Sequence, residues 1–346
     1  MAERPKFPPQ VPFIIGNEAC ERFSFYGMRN ILQPFLAASL LAYLPLAERE
    51  GAAKDVFHIF VMGVYFFPLL GGFIADRILG KYRTIFALSL VYCVGHGLLA
   101  AFESNEQGFY AGLFLIALGS GGIKPLVSSF VGDQFDRSNK SLAKVVYEYF
   151  YWSINLGSFF ASLIMPKLLK GQGASIAFAV PGVLMFIATV IFVAGRKRYV
   201  LVPPPERNPD SFLNVIRTAL LAEPTQGDAQ RVAVGRGVAV TGVLVACAAI
   251  VFKIGGDWVP AICLGLVAVL VGVGGGASIA LRNALGKHSQ EAIDGVRSVL
   301  RILVLFAFVT PFWSLFDQKA TTWVIQAKAM SKPSWFEPAM MQALNP

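Results

Sequence analysis

Apolar residues arrive along this chain in nine blocks, at about 11–35, 56–79, 84–101, 109–132, 146–168, 175–194, 237–254, 258–281 and 299–325. Each is close to the ~20 residues an α-helix needs to cross a hydrocarbon core of about 30 Å. Short polar loops separate most of them, so the pattern predicts an all-α polytopic membrane protein. The first block is too long, too charged and too far from any small-residue cleavage site to read as a removable signal peptide.

Composition strengthens this reading. Of 346 residues, 55% are hydrophobic and only 15% charged, a balance soluble globular chains of this size rarely show. Cys20, Cys93, Cys247 and Cys263 fall inside predicted helices at spacings that suit neither a zinc site nor a disulfide framework, and are expected to be packing residues. The net charge of +9 forms no compact basic patch interleaved with aromatics, which argues against nucleic acid. With the N-terminus placed inside, the cytoplasmic segments collect 19 of the 30 Lys and Arg residues and the opposite loops only seven. That asymmetry favours a cytoplasmic N-terminus.

Blocks one to six are joined by short loops and predict an N-terminal six-helix transmembrane bundle over 1–198. Arg196-Lys197-Arg198 and Pro203-Pro204-Pro205 then open a polar connector of about 40 residues. A middle region, 199–297, holds this connector and two Val-, Ala- and Gly-rich helices, at about 237–254 and 258–281, expected to be lipid-facing spacers. The last region, 298–346, carries block nine with its polar and aromatic run Pro311, Phe312, Trp313, Asp317, Gln318 and Lys319, followed by an external loop.

Charge inside a span costs about 2.5–3.5 kcal/mol at the bilayer centre and points to function. The first block holds four such residues. With Glu18 at zero and 100° per residue, Glu21 falls near 300°, Arg22 near 40°, Tyr26 near 80°, Arg29 near 20° and Gln33 near 60°, one face of about 140°. Pairing of Glu18 with Arg22 at i,i+4 would neutralise both and leave Arg29 unpaired. Arg29 lies roughly 27 Å along its helix, and Asp317 lies at a similar rise in block nine, so the two could meet. Lys124, in Gly121-Gly122-Ile123-Lys124-Pro125, lies near the level of Glu18 and Glu21 and is too deep to snorkel easily. Prolines 34, 68, 125, 166, 181, 260 and 311 sit inside predicted spans and suit helices that bend.

The segment Glu18-Ala19-Cys20-Glu21-Arg22-Phe23-Ser24-Phe25-Tyr26-Gly27 resembles the ExxERFxxYG signature of the proton-dependent oligopeptide transporters, a branch of the major facilitator superfamily. Gly71-Gly72-Phe73-Ile74-Ala75-Asp76-Arg77, Phe150-Tyr151-Trp152-Ser153-Ile154-Asn155-Leu156-Gly157-Ser158 and Phe312-Trp313-Ser314-Leu315-Phe316-Asp317-Gln318 resemble further motifs of that family, in its order.

The resemblance implies two six-helix bundles, with the Val- and Ala-rich pair matching the two extra helices of bacterial members and block nine the first helix of the C-terminal bundle. The remaining helices of that bundle are missing from this sequence, which alone is therefore not expected to transport. It implies import of di- and tripeptides across the bacterial cytoplasmic membrane by alternating access. Protons are the coupling ion, and no cofactor or metal is required. A monomer in the lipid bilayer is expected.

By the same resemblance, Arg29 and Lys124 would hold the peptide carboxylate and Asn155 its polar backbone, with Tyr26, Tyr65 and Trp313 lining the pocket. Glu18, Glu21, Arg22, Asp317 and His58 would serve proton coupling. Protonation of Asp317 would release Arg29 for the substrate, and protonation around Glu18, Glu21 and Lys124 would govern an inner contact. Asp76, Arg77 and Asp133 would form a conformational latch at the cytoplasmic helix ends. Phe25 stands where many members have a second tyrosine.

An enzyme is disfavoured by the absence of HExxH and GxSxG motifs and by the wide spacing of His58, His96 and His288. A transporter of nitrate, a drug or another small solute on the same fold is the stronger rival, and a non-transporting receptor the weaker.

Overall fold

In lipid every backbone polar group must be satisfied within the chain, so long apolar segments are driven into helices. The computed structural model, which describes residues 7–204, 209–224, 227–256 and 258–344, contains helices and, among those residues, no β-strand. Arg4, Lys6 and Arg207, counted above for orientation, lie outside the described residues.

The first compact unit comprises residues 1–205 and 317–346. It is built on α1 (Val11–Phe35), α2 (Leu46–Ile74), α3 (Lys81–Ala101), α4 (Glu106–Gly132), α5 (Ala143–Gln172) and α6 (Ala174–Ala194). Pro12 stands in the first turn of α1, where its missing N–H costs nothing. Helix α2 begins ten residues before the apolar block that announced it. Its first turns, with Glu48, Arg49, Glu50, Lys54 and Asp55, are too polar to register by hydropathy, yet they are good helix formers. Past Ile74 the helix widens into a π-helical turn at Ala75–Leu79 and stops at Gly80, whose φ of 78° a residue with a side chain resists. At α4 the Asn105 side chain accepts from Gly108 N–H at 2.8 Å, capping the first turn.

Helix α1 packs against α5 and α6, α3 against α4 and α6, and α2 against α4. A Cβ on Gly71 would collide with the Gly122 backbone, so α2 and α4 meet glycine to glycine. After residue 317 the chain returns to this unit as a 3₁₀ turn (Asp317–Ala320), α11 (Thr322–Ala329) and a 3₁₀ segment (Pro338–Leu344). The last of these lies against α5 and α11. Lys328 pairs with Glu50 at 2.9 Å and Lys170 with Glu337 at 2.7 Å.

The second compact unit, residues 206–316, holds α7 (Phe212–Leu221), α8 (Ala229–Val251), α9 (Trp258–Ala280) and α10 (Gln290–Phe316). The connector expected to be simply polar contains α7, whose C-terminal carbonyls are satisfied by side chains. Arg236 donates to Leu220 O and, at 2.8 Å, to Ala222 O, and Asn283 donates to Ala222 O at 3.1 Å. Helix α8 starts eight residues earlier than its apolar block, and α10 nine residues earlier, at polar turns again. Between α8 and α9, Gly242 and Gly272 face each other so closely that a Cβ on Gly242 would lie 2.5 Å from Gly272 Cα.

Among the described residues six segments qualify as membrane spans by length and composition: Leu46–Leu79, Lys81–Ala101, Glu106–Gly132, Ala174–Arg198, Ala229–Val251 and Pro260–Ala284. Helices α1, α5 and α10 are as long, with 25, 30 and 27 residues.

Candidate functional site

The charged face of α1 is buried. Arg22 Nε lies 2.6 Å from Glu18 Oε1 and 3.0 Å from Glu21 Oε2, with side-chain exposures of 8% for the arginine and 2% for each glutamate. One guanidinium therefore lies against two carboxylates within little more than a turn of one helix, and its pair with Glu18 is the one that i,i+4 spacing favours. Its Nε donates a hydrogen bond to Glu18. Neither oxygen of Glu21 has a hydrogen bond of good geometry among the described residues.

Lys124, on α4, reaches the same region and lies within electrostatic reach of Glu21, Glu18, Arg22 and Arg29. Among the described residues it makes no ion pair with either glutamate. Its ammonium instead rests on the Phe25 ring, 3.4 Å from the centroid, a close cation–π contact. The Phe25 ring is thus the platform of the partly buried lysine.

Two turns further along α1, Arg29 Nη2 donates to Asp317 Oδ1 at 2.9 Å. The Asp317 side chain is 24% exposed and stands on the 3₁₀ turn that follows α10, where the regular helix expected through residue 325 has ended. The Arg29 guanidinium also lies 5.6 Å from the centroid of the Phe57 ring. His58, half-buried on α2, is within electrostatic reach of both Arg29 and Asp317. So is Tyr65, whose ring is largely exposed. Tyr26 packs edge-on to Phe25 at 5.5 Å.

Asn155, partly buried on α5, turns back to its own helix, donating to Tyr151 O at 2.9 Å. Trp313 lies on α10 in the second unit, half exposed, with its ring against Phe312 and Phe316 at 5.4 and 5.3 Å. Between the start of α3 and the end of α4, Asp133 is held by Lys81, whose Nζ approaches Oδ1 and Oδ2 at 2.9 and 2.7 Å. Asp76 and Arg77 are exposed, and neither forms an ion pair among the described residues.

Several polar residues at these sites drew no role from the sequence. Lys81 stands four residues beyond Arg77, but its partner is 52 positions away. Lys319, 8% exposed, is within electrostatic reach of Arg29 and Asp317. His96 on α3 is fully buried, stacks on Tyr92 at 5.0 Å, and its Nε2 lies 3.0 Å from the Ser24 hydroxyl on α1. Gln33, on the charged face, is fully buried with both amide atoms unpaired among the described residues. No group of three or more His, Cys, Asp or Glu among the described residues is placed to hold a metal ion.

The sequence profile described as the POT family matches residues 82–346. Peptide transporter 3 of Caenorhabditis elegans is 32% identical over 98% of this chain and 44% of its own length. Solute carrier family 15 member 2 of Danio rerio is 34% identical over 98% of this chain and 43% of its own. The chain thus spans less than half the length of these curated relatives. Among solved structures, that of the POT family transporter PepTSo superposes with a TM-score of 0.93 at 62% identity, covering 99% of this chain and 67% of that one. An auto-inhibited POT family peptide transporter gives 0.90 at 55% identity, covering 98% and 66%. The helices therefore take the major facilitator superfamily fold, as an N-terminal six-helix bundle, two linker helices and the first helix of a C-terminal bundle. The chain belongs to the POT family, the proton-dependent oligopeptide transporters.

Proposed function

We propose that the complete protein is a proton-coupled symporter that imports di- and tripeptides by alternating access. The observation that carries this reading is the Arg29–Asp317 contact, a charge pair formed between α1 and the turn after α10. A cation held by a carboxylate on another element is released when that carboxylate is protonated, so one proton frees both a binding group for the peptide carboxylate and a contact between elements.

In this reading Arg29 and Lys124 hold the carboxylate end, Asn155, Tyr26, Tyr65 and Trp313 line the path, and His58 hands protons to Asp317. Glu18, Glu21 and Arg22 carry the second proton-sensitive set, and Asp76, Arg77 and Asp133 the latch. The division into 1–198, 199–297 and 298–346, a monomeric state, protons as the only accessory species, and a bacterial cytoplasmic membrane with the N-terminus inside complete the proposal. The asymmetry of Lys and Arg between alternate loops supports that orientation.

The test is uptake of labelled dipeptide by the full-length protein in proteoliposomes, with and without an inward proton gradient. Accumulation that depends on the gradient is the expected result. Accumulation indifferent to the gradient overturns coupling, and no peptide uptake alongside uptake of another small solute overturns the substrate class.

A further inference from the structure

The second unit carries a cavity of about 660 Å³ lined by both arginines and apolar side chains. Four arginines line it: Arg231 on α8, Arg282 in the 3₁₀ turn after α9, and Arg297 and Arg301 on α10. The other lining residues are mostly apolar, among them Leu270 and Val271 on α9 and Leu303 on α10. The floor opens because Gly274 and Gly275 present no side chain. A Cβ at either would meet nothing nearer than 3.6 and 3.9 Å, whereas neighbouring Gly272 and Gly276 are consumed by the tight packing of α9 on α8.

Arg297 pairs with Asp294, which leaves Arg231, Arg282 and Arg301 without a carboxylate in ion-pair range among the described residues. All three are exposed. From Arg282 back to Leu270 the cavity follows α9 for about 18 Å, close to the depth of one hydrocarbon leaflet.

We propose that this cavity is a binding site for an anionic phospholipid. The headgroup phosphate is held by Arg231, Arg282 and Arg301, and an acyl chain lies in the apolar groove between α9 and α10. A basic pocket between spanning helices at the cytoplasmic surface is the setting in which anionic headgroups are recognised. Arginine suits the role because its fork meets phosphate oxygens in pairs. The groove distinguishes a lipid from a free phosphate, which has no use for the apolar wall. The side of the membrane rests on the orientation proposed above. The site itself does not depend on peptide transport.

The experiment uses the delipidated full-length protein in neutral detergent and reads lipid retention by native mass spectrometry together with the melting temperature. Phosphatidylglycerol and phosphatidylcholine of identical acyl chains are titrated, with glycerophosphoglycerol as a headgroup-only arm. Phosphatidylglycerol is expected to be retained and to raise the melting temperature more than phosphatidylcholine, with the headgroup alone inert at matched concentration. The combined variant Arg231→Gln, Arg282→Gln, Arg301→Gln should lose on the order of tenfold in apparent affinity for phosphatidylglycerol while its melting in phosphatidylcholine is unchanged. Lysine at the same three positions should restore most of the preference. Equal response to the two lipids, a preference that survives the glutamine variant, or an effect reproduced by the headgroup alone overturns the site. Since no arm reads uptake, failure here is separable from failure of the transport reading.

Discussion

Two sets of buried charge share helix α1, and they differ in what can move them. In the set Glu18, Glu21 and Arg22, all three members ride on one helix, one cation beside two carboxylates within little more than a turn. In the set Arg29 and Asp317, the partners are 288 positions apart and belong to different elements. A rigid-body motion of α1 carries the first set along unchanged and must break the second. Only the second is therefore a contact that can report a conformational change directly. The first is a standing charge arrangement, which couples to motion through whatever faces it from another helix, and one such group is Lys124 on its Phe25 platform.

The sharpest way to break this comparison is to remove Arg22. Arg22→Met leaves two carboxylates buried without a counterion, and a loss of about 3–5 kcal/mol is expected, read as a steep fall in melting temperature of the full-length protein. A melting point close to that of the unaltered protein would show the set to be solvated. Asp317→Asn should do the opposite: small change in melting, because the pair is partly exposed, but a fall of at least about tenfold in gradient-driven peptide uptake, the weight of ~1.4 kcal/mol on a gate equilibrium. Undiminished gradient-driven uptake would remove Asp317 from the coupling.

Phe25→Leu keeps apolar bulk but deletes the ring beneath Lys124. It should cost about 0.5–2 kcal/mol and make the lysine more reactive to amine reagents, whereas Phe25→Tyr should change little. Lys81→Met, at a pair whose side chains are 21% and 19% exposed, should cost only about 0.2–1 kcal/mol, seen as faster amide exchange around residue 133. Arg77→Gln, without an ion-pair partner among the described residues, should leave that exchange unaltered.

The smallest effect lies outside the membrane, in the loop after α4. The Ser138 hydroxyl and backbone N–H hold the Asp136 carboxyl below its usual range. A depressed carboxyl stabilises the folded loop above the ordinary aspartate pKa and loses that contribution as pH falls through the folded value. Amide protection at Ser138 and Asn139 should therefore be intact at neutral pH and fall in acid, and Asp136→Asn should abolish the pH response. Protection that is flat from neutral pH into strong acid would contradict this assignment.

Much of the fold was legible because hydrophobic blocks of membrane length leave the backbone no alternative to helix. Boundaries failed where helices begin in polar turns, as at Leu46, Ala229 and Gln290, since hydropathy registers lipid exposure and not helix formation. The charged face of α1 was legible from spacing alone, because its members are i,i+3 and i,i+4 neighbours. Lys81 with Asp133, Ser24 with His96, and Lys124 with Phe25 were not, because each joins residues on different helices and no local periodicity encodes which faces meet.

By itself the sequence determined that this is a helical membrane protein, that α1 carries four charges on one side, and that its motifs are those of peptide transporters. Only the tertiary structure decided which contacts close: one guanidinium lies against two glutamates of its own helix but donates a hydrogen bond to Glu18, while Arg29 meets a carboxylate on a turn nearly three hundred residues later. The physical reason is that short-range pairing follows from helix geometry, whereas long-range pairing follows from which helices pack, and glycine-to-glycine approaches such as Gly71 on Gly122 set that packing.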